Sequence, residues 1–339
     1  MNYNNTDIKI SVCIPTFNQS DYIEKSIRSA LKQTVRPFEI IVSNDASTDS
    51  TVEVLDVLQR EVGILRVIHQ PFNLGISKNT NACLRMATGD YIVRLDSDDM
   101  LLPDYIEILS NLLIEYPDAG YAHAAVEEID KSGRLLNQRK LFRKAVFQNG
   151  DEALKAALKG YRVAANIIMF RRNALETVNY ITCKENFAED YFLSVNIAAA
   201  GFGNVYSNNI LSNYRVWEDV GKVRQKRKLS EIKGLNSVFK DALKPAFVAR
   251  NWDLKSLNNS MASFANIQAA CLGWDIYSDG DKIEIENAIL ELSGSKKTKI
   301  LIWVFKNGFG HAFSYYTQLK GNLRQFAKAS ILSLQKHGK

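Results

Sequence analysis

Cysteine is scarce in this sequence. Its four cysteines, Cys13, Cys83, Cys183 and Cys271, are spread over 339 residues, and none forms a C-x-x-C pair. A disulfide framework or a zinc site would need a denser and more regular spacing. The pattern therefore argues against both, and we expect the protein to work in a reducing cytoplasm.

Long hydrophobic runs are also missing. The longest notable apolar run of the C-terminal third, residues 300–305, ends at Lys306, whereas a membrane-spanning helix needs about 20 apolar residues. Residues 1–9 form a polar leader without the basic and apolar regions of a signal peptide. The sequence thus predicts neither a transmembrane helix nor a secretion signal.

Acidic residues are absent from residues 295–339, which contain nine lysines and arginines. A solvated basic face explains this pattern as well as an anionic partner does, such as a membrane surface or nucleic acid. The same region is rich in aromatic residues, which suits core packing or a membrane interface. These are Trp303, Phe305, Phe309, Phe313, Tyr315 and Tyr316. We expect peripheral contact with the inner face of the cell membrane and no nucleic acid.

Apolar segments alternate between strand and helix patterns over the first 116 residues. Strands are predicted at 10–14, 38–42, 64–68 and 91–95, and helices begin near Asp21, Ser50, Ser77 and Pro103. Asp21 stands three residues before Glu24, the spacing of a capping box. Such alternation is typical of an α/β fold with a doubly wound, mainly parallel sheet that is covered on both faces.

The alternation changes after Gly120 and ends near residue 220. A longer strand at 121–130, a helix at 190–200 and one or two strands at 205–216 are predicted. Beyond residue 221 the pattern is mainly helical. We therefore predict one α/β domain at 10–220 and a basic, mostly helical extension at 221–339.

Polar side chains follow three of the predicted strands at their carboxyl ends, where open parallel sheets bind ligands. They are the segments 15–18, 43–49 and 96–99. Asp45 suits a turn, but it can also accept the imide N–H of a uracil. A helix cap needs one carboxylate, whereas three occur within four residues here, at Asp96, Asp98 and Asp99. A divalent cation would relieve their mutual repulsion.

The segments IPTFN, SNDASTD, NLGISKN, ATGDYIVRLDSDDMLLPDY and FAEDYFL occur in this order. They resemble the successive motifs of glycosyltransferase family 2, and the resemblance covers about residues 10–216. It implies the GT-A fold and inverting transfer of a sugar from a nucleotide donor, in the presence of Mn²⁺ or Mg²⁺. A UDP-sugar donor and a glycan or lipid-linked acceptor in bacterial surface-polysaccharide synthesis are the corresponding expectations.

The resemblance also implies roles for individual residues. Those on or beside the nucleotide would be Pro15, Thr16, Phe17, Asn18, Asp45, Lys78, Asp96 and Arg215. The metal candidates are Asp98, Asp96 and Asp99. Asp190, in the acidic pair with Glu189, would be the catalytic base that takes the proton of the acceptor hydroxyl. Acids at a helix N-terminus are the structural alternative for this pair.

Two positions depart from the family pattern. Many relatives carry an arginine in the segment aligned with residues 79–83, where this chain has none, so Lys78 is expected to replace its charge. Many relatives also place a histidine after Tyr-Arg-Val, where this chain has Trp217. The four histidines lie outside the motifs, and we expect His69 to be structural and the others to be surface residues.

Two other functions remain open. A nucleotidyltransferase on a similar fold would use the same carboxylates, but it should carry a basic, glycine-rich loop near the first strand. Residues 16–20 contain neither glycine nor a basic residue. A non-catalytic nucleotide- or glycan-binding protein would lack the base, whereas Asp190 is present.

Overall fold

The computed structural model describes residues 8–183, 185, 187–217, 225–310 and 312. Among them, ten strands form one sheet. They are β1 (Ile10–Thr16), β2 (Glu39–Asn44), β3 (Leu65–His69), β4 (Tyr91–Arg94), β5 (Met100–Leu101), β6 (Ala119–Ile129), β7 (Leu135–Arg139), β8 (Phe147–Gln148), β9 (Ile168–Arg171) and β10 (Gly203–Arg215). The strand order is β3-β2-β1-β4-β9-β6-β10-β5, with β7 paired to β6 and β8 to β10.

Seven helices accompany these strands in the described chain. They are α1 (Ile23–Leu31), α2 (Thr51–Glu61), α3 (Ile76–Arg85), α4 (Tyr105–Glu115), α5 (Gly150–Ala157), α6 (Arg172–Thr177) and α7 (Glu189–Ala199). The predicted α/β architecture is confirmed, and the predicted strands and helices of the first 116 residues are present. The predicted cap at Asp21 is wrong, because α1 begins after Tyr22 and has no side-chain cap.

The sheet is covered on both faces, since every residue of the central strands β1 and β4 is buried. In β1, Val12 and Ile14 belong to one core cluster and Cys13 to the other, since successive side chains of a strand point to opposite faces. The first cluster includes side chains of α1, α2 and α4, and the second those of α3, α6 and α7. The helices thus cover both faces, as a doubly wound sheet requires.

Strand direction sets which ends lie together. The strands β1, β2, β3 and β4 run parallel. The strand β9 is antiparallel to both β4 and β6, so β6 runs in the direction of β4, and β10 is parallel to β6. The carboxyl ends of β1, β2, β4, β6 and β10 therefore share one edge of the sheet.

Helices predominate after residue 224, as predicted. They are α8 (Lys228–Ser237), a π-helical segment (Val238–Leu243), α9 (Lys244–Ala249), α10 (Lys255–Gln268), a 3₁₀ segment (Ala269–Gly273), α11 (Asp279–Leu292) and α12 (Lys296–Lys306). Contacts divide the chain into two units, residues 1–224 with 233–257 and residues 225–232 with 258–339. The first unit thus includes helical residues beyond the boundary that the sequence predicts near residue 220, and that boundary stays a prediction.

The prediction of a surface position is wrong for His123, whose side chain is fully buried. Its ring lies 5.9 Å from that of Tyr121 and 5.0 Å from that of Tyr206. Burial lowers the pKa of His123 to about 3, so this histidine is a neutral core residue. His311 and His337, the polar leader up to residue 7 and the aromatic residues after Ala312 lie outside the described residues.

No helix in the described ranges has both the length and the apolar character that crossing a membrane requires.

Candidate active site

The polar segments after β1 and β2 meet at the sheet edge. Thr16 is the register partner of Asn44, and Pro15 that of Ser43. Thr16 is buried, and its hydroxyl has no hydrogen-bond partner within the described residues. A buried hydroxyl without a partner is costly unless a ligand satisfies it.

Phe17 and Asn18 follow directly. Phe17 is 44% exposed, so its ring is free to contact a ligand. Asn18 adopts a left-handed backbone with φ of 53°, and its Oδ1 accepts a hydrogen bond from Thr48 N at 2.8 Å. Asn18 therefore connects the ends of β1 and β2, and its role in nucleotide binding stays a prediction.

Asp45 lies at the end of β2 and is 2% exposed. Its carboxylate accepts hydrogen bonds from Leu74 N at 2.7 Å and Gly75 N at 3.0 Å. Gly75 has a φ of 83°, which L-residues rarely adopt, and precedes α3. Asp45 thus holds the loop after β3 in place. A carboxylate has about four acceptor positions, so these two bonds leave capacity for a base N–H.

Lys78 lies in the first turn of α3 and is exposed. Asn79, the next residue, is buried and bonds to Ser43 through both its amide oxygen and its amide nitrogen. The helix position of Lys78 is therefore fixed by its neighbour, while its own ammonium group reaches solvent.

Asp98 and Asp99 contact the end of β10. Asp98 Oδ2 accepts a hydrogen bond from Trp217 Nε1 at 2.8 Å. Asp99 Oδ1 accepts one from Arg215 N at 2.7 Å, and Arg215 Nε donates to the carbonyl of Asp98 at 3.0 Å. Trp217 and Arg215 therefore hold the acidic loop. The hydrogen bond to Asp98 comes from the indole of Trp217, at the position where many relatives have histidine.

The carboxylates of this loop differ in exposure. Asp96 and Asp98 are partly exposed, whereas Asp99 is 1% exposed and its Oδ2 has no partner in the described chain. Burial raises the pKa of Asp98, and the charge of Asp96 adds to that effect. Burial, followed by the charges of Asp98 and Asp96, raises the pKa of Asp99 well above its usual range. Any cation that binds here would therefore relieve a real electrostatic cost.

Arg94, the last residue of β4, is a site residue that the sequence patterns did not identify. Its side chain is 2% exposed, and Nε lies 3.3 Å from Asp96 Oδ1. Its Nη1 forms an ion pair with Asp190 Oδ1, a residue 96 positions away in the chain. The available signal was a single arginine at the end of an apolar strand, because a fully buried arginine is rare unless it is paired.

Arg94 and Asp190 each affect the pKa of the other. Burial works against the charge of Arg94, but Asp190 and Asp96 outweigh it and raise the pKa of the guanidinium. Burial raises the pKa of Asp190 to about 7, Arg94 opposes that shift, and Glu189 adds to it. A carboxylate with a pKa near 7 is suited to act as a general base at neutral pH.

The turn before α7 fixes the position of Asp190. Ala188 has a left-handed backbone with φ of 63°, a conformation that costs an L-residue about 1–2 kcal/mol. Gly234 packs against this turn, and a Cβ at Gly234 would lie 2.4 Å from the carbonyl oxygen of Phe187. The turn is thus held by residues far away in the sequence, in a strained form that is typical of functional sites.

The acidic loop fits a divalent cation only together with a substrate. In the described part of the chain, no three His, Cys, Asp or Glu side chains form a ready-made metal site. Mg²⁺ usually binds one or two carboxylates and completes its shell with substrate phosphates and water. The partly exposed Asp96 and Asp98 supply such a pair, so the residues present fit a metal that arrives with a diphosphate.

Comparison with solved structures identifies the fold. S. aureus TarS 1-349 in complex with UDP-GlcNAc matches with a TM-score of 0.56 at 17% identity, over 90% of this chain and 92% of that one. A mannosyltransferase from Pyrobaculum calidifontis in complex with GDP-Man and Mn²⁺ matches with a TM-score of 0.52 at 16% identity, over 90% and 86%. The chain has the GT-A fold of such glycosyltransferases.

Sequence comparison gives the family. Residues 11–178 match Glycosyl transferase family 2. The chondroitin synthase of Pasteurella multocida strain Pm70 is 30% identical over 192 residues, 57% of this chain and 19% of that protein. A glucosyltransferase of Campylobacter jejuni, named GalNAc(5)-diNAcBac-PP-undecaprenol beta-1,3-glucosyltransferase, is 36% identical over 129 residues, 38% of this chain and 40% of that protein. Residues 11–178 of this chain therefore belong to glycosyltransferase family 2.

The matched part spans less than half of these relatives' own length. Asp190, Arg215 and Trp217 lie beyond residue 178 and so outside the family match.

Proposed function

We propose that this protein is a metal-dependent inverting glycosyltransferase that moves a sugar from a UDP-sugar to a hydroxyl of a glycan or lipid-linked saccharide. The observation that carries the proposal is the buried Arg94, which contacts Asp96 of the acidic loop and Asp190 of α7. It brings a candidate leaving-group site and a candidate base together. A donor-binding protein without catalysis would not need the second carboxylate.

In this mechanism Asp190 is the base. Its carboxylate accepts the proton of the acceptor hydroxyl as that oxygen attacks the anomeric carbon, on the face opposite the leaving nucleoside diphosphate. One displacement inverts the anomeric centre, so no covalent enzyme intermediate is needed. Arg94 acts through Asp190, since its ion pair fixes where the carboxylate lies.

We assign the cation to Asp98 and Asp96, which are the partly exposed members of the loop. Bound Mn²⁺ or Mg²⁺ would stabilise the negative charge of the leaving diphosphate. Asp99 is assigned an anchoring role, because it is buried and holds the backbone of Arg215. The nucleotide would lie against Thr16, Phe17 and Asp45, with Lys78 near the base or phosphate.

The choice of donor and acceptor is supported by the relatives. TarS has been solved with UDP-GlcNAc, and the Campylobacter relative is named for an undecaprenol-linked substrate. The chondroitin synthase match supports a role in bacterial polysaccharide synthesis. These features come from the relatives' names, and we extend them to this chain as part of the proposal.

Contact of the C-terminal region with the inner face of the cell membrane is also part of this proposal. Ile300 and Trp303 on α12 are 60% and 58% exposed, and Trp303 stacks on Phe309 with ring centroids 5.5 Å apart. Lys296, Lys297 and Lys299 lie on the same helix and are exposed. Flotation with anionic liposomes tests it, and equal binding after removal of residues 295–339 would contradict it.

A donor screen tests the enzymatic function. Purified protein is incubated with Mn²⁺, an acceptor mixture and each of several nucleotide sugars, and release of nucleotide is measured. We expect turnover of a UDP-sugar and a loss of about 10²–10⁴-fold in Asp190→Asn, the usual contribution of a general base.

The control is Glu189→Gln, which removes the neighbouring carboxylate and keeps Asp190. Asp98→Ala should abolish metal-dependent donor binding. If no nucleotide sugar is turned over, or if Asp190→Asn is as active as the wild type, the proposed function is wrong.

A further inference from the structure

The segment that follows β6 has an unusual composition. Residues 131–146, here named the basic arm, contain β7 and the loop that leads to β8. The arm contains no Asp or Glu. Its six basic residues are Lys131, Arg134, Arg139, Lys140, Arg143 and Lys144.

The arginines hold the arm on the sheet. Arg134 Nε lies 3.2 Å from Asp130 Oδ2. Arg139 Nη1 donates to the carbonyl of Ala164 at 2.8 Å, and its Nη2 pairs with Glu128. These charges are therefore neutralised or used for internal hydrogen bonds.

Arg143 fixes the second half of the arm. Its Nη2 donates to the carbonyls of Val146 at 2.8 Å and Asn204 at 3.0 Å. The backbone N–H of Leu141 donates to Tyr206 Oη at 2.8 Å. Together with the β6–β7 ladder, these bonds give the arm a defined backbone.

The lysines are left for another partner. Lys131, Lys140 and Lys144 are exposed, and none has an ion pair or hydrogen bond to any residue that the structure describes. The arginines thus anchor the arm, whereas the lysines add uncompensated positive charge to its outer surface.

Large apolar side chains are exposed on the same arm. They are Phe142, Leu135, Leu136 and Val146, with exposures of 103%, 53%, 50% and 43%. Scattered single apolar residues are normal on a protein surface, but a group of them on one short segment indicates an interaction site. Lysines near an edge strand are often explained by protection against sheet aggregation alone. That explanation does not account for an exposed phenylalanine and two exposed leucines.

We propose that the basic arm docks on an anionic lipid bilayer. The free lysines are complementary to lipid phosphates, and the apolar side chains can insert between the head groups. A polyanionic glycan would satisfy the lysines, but it would leave the leucines and valine in water. This surface belongs to the first unit.

Docking here would place the active site next to the membrane. The carbonyl of Asp130, directly before the arm, accepts a hydrogen bond from Arg215 Nη1 at 2.5 Å. Arg215 also contacts the carbonyl of Asp98 at 3.0 Å. Arg215 therefore contacts both the acidic loop and the residue directly before the arm, an arrangement that suits an acceptor carried on a lipid.

Co-sedimentation of the full-length protein with vesicles tests the proposal without any substrate. Vesicles of phosphatidylcholine alone are compared with vesicles that also contain phosphatidylglycerol, and only the latter should bind. Lys131→Glu/Lys140→Glu/Lys144→Glu should weaken partitioning at least about 100-fold, since each lysine near such a surface contributes a factor of about five. Leu135→Ser/Leu136→Ser/Phe142→Ser should weaken it at least about tenfold.

The matched control replaces three exposed lysines elsewhere in the first unit by Glu, namely Lys25, Lys32 and Lys159. The change in net charge is the same. This variant should bind vesicles like the wild type. Equal loss in the control, or wild-type binding by either arm variant, overturns the proposal. The proposal is also overturned if the wild-type protein does not bind these vesicles but binds a soluble anionic polysaccharide. Formation of dimers that are lost in the serine variant would overturn it as well. Because no donor is present, these results are independent of glycosyl transfer.

Discussion

The two halves of the candidate active site are held in different ways. The donor-side segment, residues 96–99, follows β4 directly, and its carboxylates repel one another on a short loop. The base-side segment, residues 187–190, contains a strained left-handed turn. Its carboxylate is paired with an arginine from β4 and its backbone packs against Gly234. The presence of the first half can be predicted from local sequence, although Arg215 and Trp217 also contact it, whereas the position of the second depends on contacts distant in the chain.

This difference has a functional consequence. Repulsion among the carboxylates of the donor-side segment would favour binding of a metal diphosphate, since the bound ion would relieve that repulsion. A base must instead lie at a fixed distance from the reacting atoms before the acceptor binds, and small displacements of catalytic groups are expensive. The strain and the buried ion pair are therefore found where accurate position matters most.

After the base itself, the largest effect is expected from Arg94→Met. Removal of the guanidinium breaks the ion pair that holds Asp190, and a displacement of about 1 Å can reduce the rate about 100-fold. Steady-state kinetics should show this loss mainly in kcat. Because a buried carboxylate loses its partner, unfolding in urea should also show a loss of about 3–5 kcal/mol.

Two controls separate position from stability. Arg171 lies at the other end of the β4–β9 pair and donates to the carbonyls of Ala119 and Leu113. Arg171→Met should lower stability but leave kcat unchanged. Arg94→Lys should recover part of the activity, and Arg94→Met should cost little in an Asp190→Asn background, since interacting residues are not additive. Full additivity would show that Arg94 does not act through Asp190.

The second prediction concerns pH. The pKa of Asp190 is about 7, raised by burial and by Glu189 and Asp96 and opposed by Arg94. The base must be ionised, so kcat/KM for the donor should fall about tenfold per pH unit below that pKa. Stability changes in the opposite sense. The raised pKa favours the folded state below about pH 4, and this contribution disappears as the pH rises to about 7.

A pH–rate profile from pH 5 to 9 checks this prediction, with parallel urea unfolding to show that the protein is folded throughout. Asp190→Glu, which keeps an ionisable group, should retain an acid limb. A wild-type profile that is flat down to pH 5 would contradict the assignment of Asp190 as the base.

Gly234→Ala should have a smaller effect. The added methyl group would lie 2.4 Å from the carbonyl oxygen of Phe187, so the turn before Asp190 must shift. Overpacking of this kind costs about 1–3 kcal/mol of folding free energy. We expect a lower melting temperature and a reduced kcat, with donor KM unchanged because the donor-side segment is not touched.

The matched control is Gly63→Ala, where nothing lies within 4 Å of the added Cβ. It should behave like the wild type in both measurements. If Gly234→Ala raises donor KM and leaves kcat unchanged, the base-side segment is not what Gly234 supports.

The same contrast explains what the sequence could predict. The strands, the polar edge and the Asp96–Asp99 loop follow from local patterns, because strand period and strand ends are local properties. Arg94 was missed because its partner Asp190 is 96 positions away. The burial of His123 was missed for a similar reason, since its ring packs against that of Tyr206, which lies on β10. Contacts between side chains that are distant in the chain cannot be predicted from any one short segment.

The smallest effect is expected from Trp217→Phe, which keeps a ring beside Tyr22 but removes the N–H that bonds to Asp98. A hydrogen bond to a charged group contributes about 1.5–3 kcal/mol when it is buried. Trp217 is 36% exposed, so water can replace the lost donor and a change of only a few-fold in the KM of the Mn²⁺-bound donor is expected.

Trp217→His is the informative comparison, because it restores the residue that many relatives carry. An imidazole can ligate a metal, whereas an indole N–H is only a donor. The histidine variant should therefore need less Mn²⁺ for half-maximal activity than either the wild type or Trp217→Phe, as measured by metal titration at fixed donor. If all three proteins require the same Mn²⁺ concentration, residue 217 does not face the metal, and Asp98 is held by Trp217 for structural reasons alone.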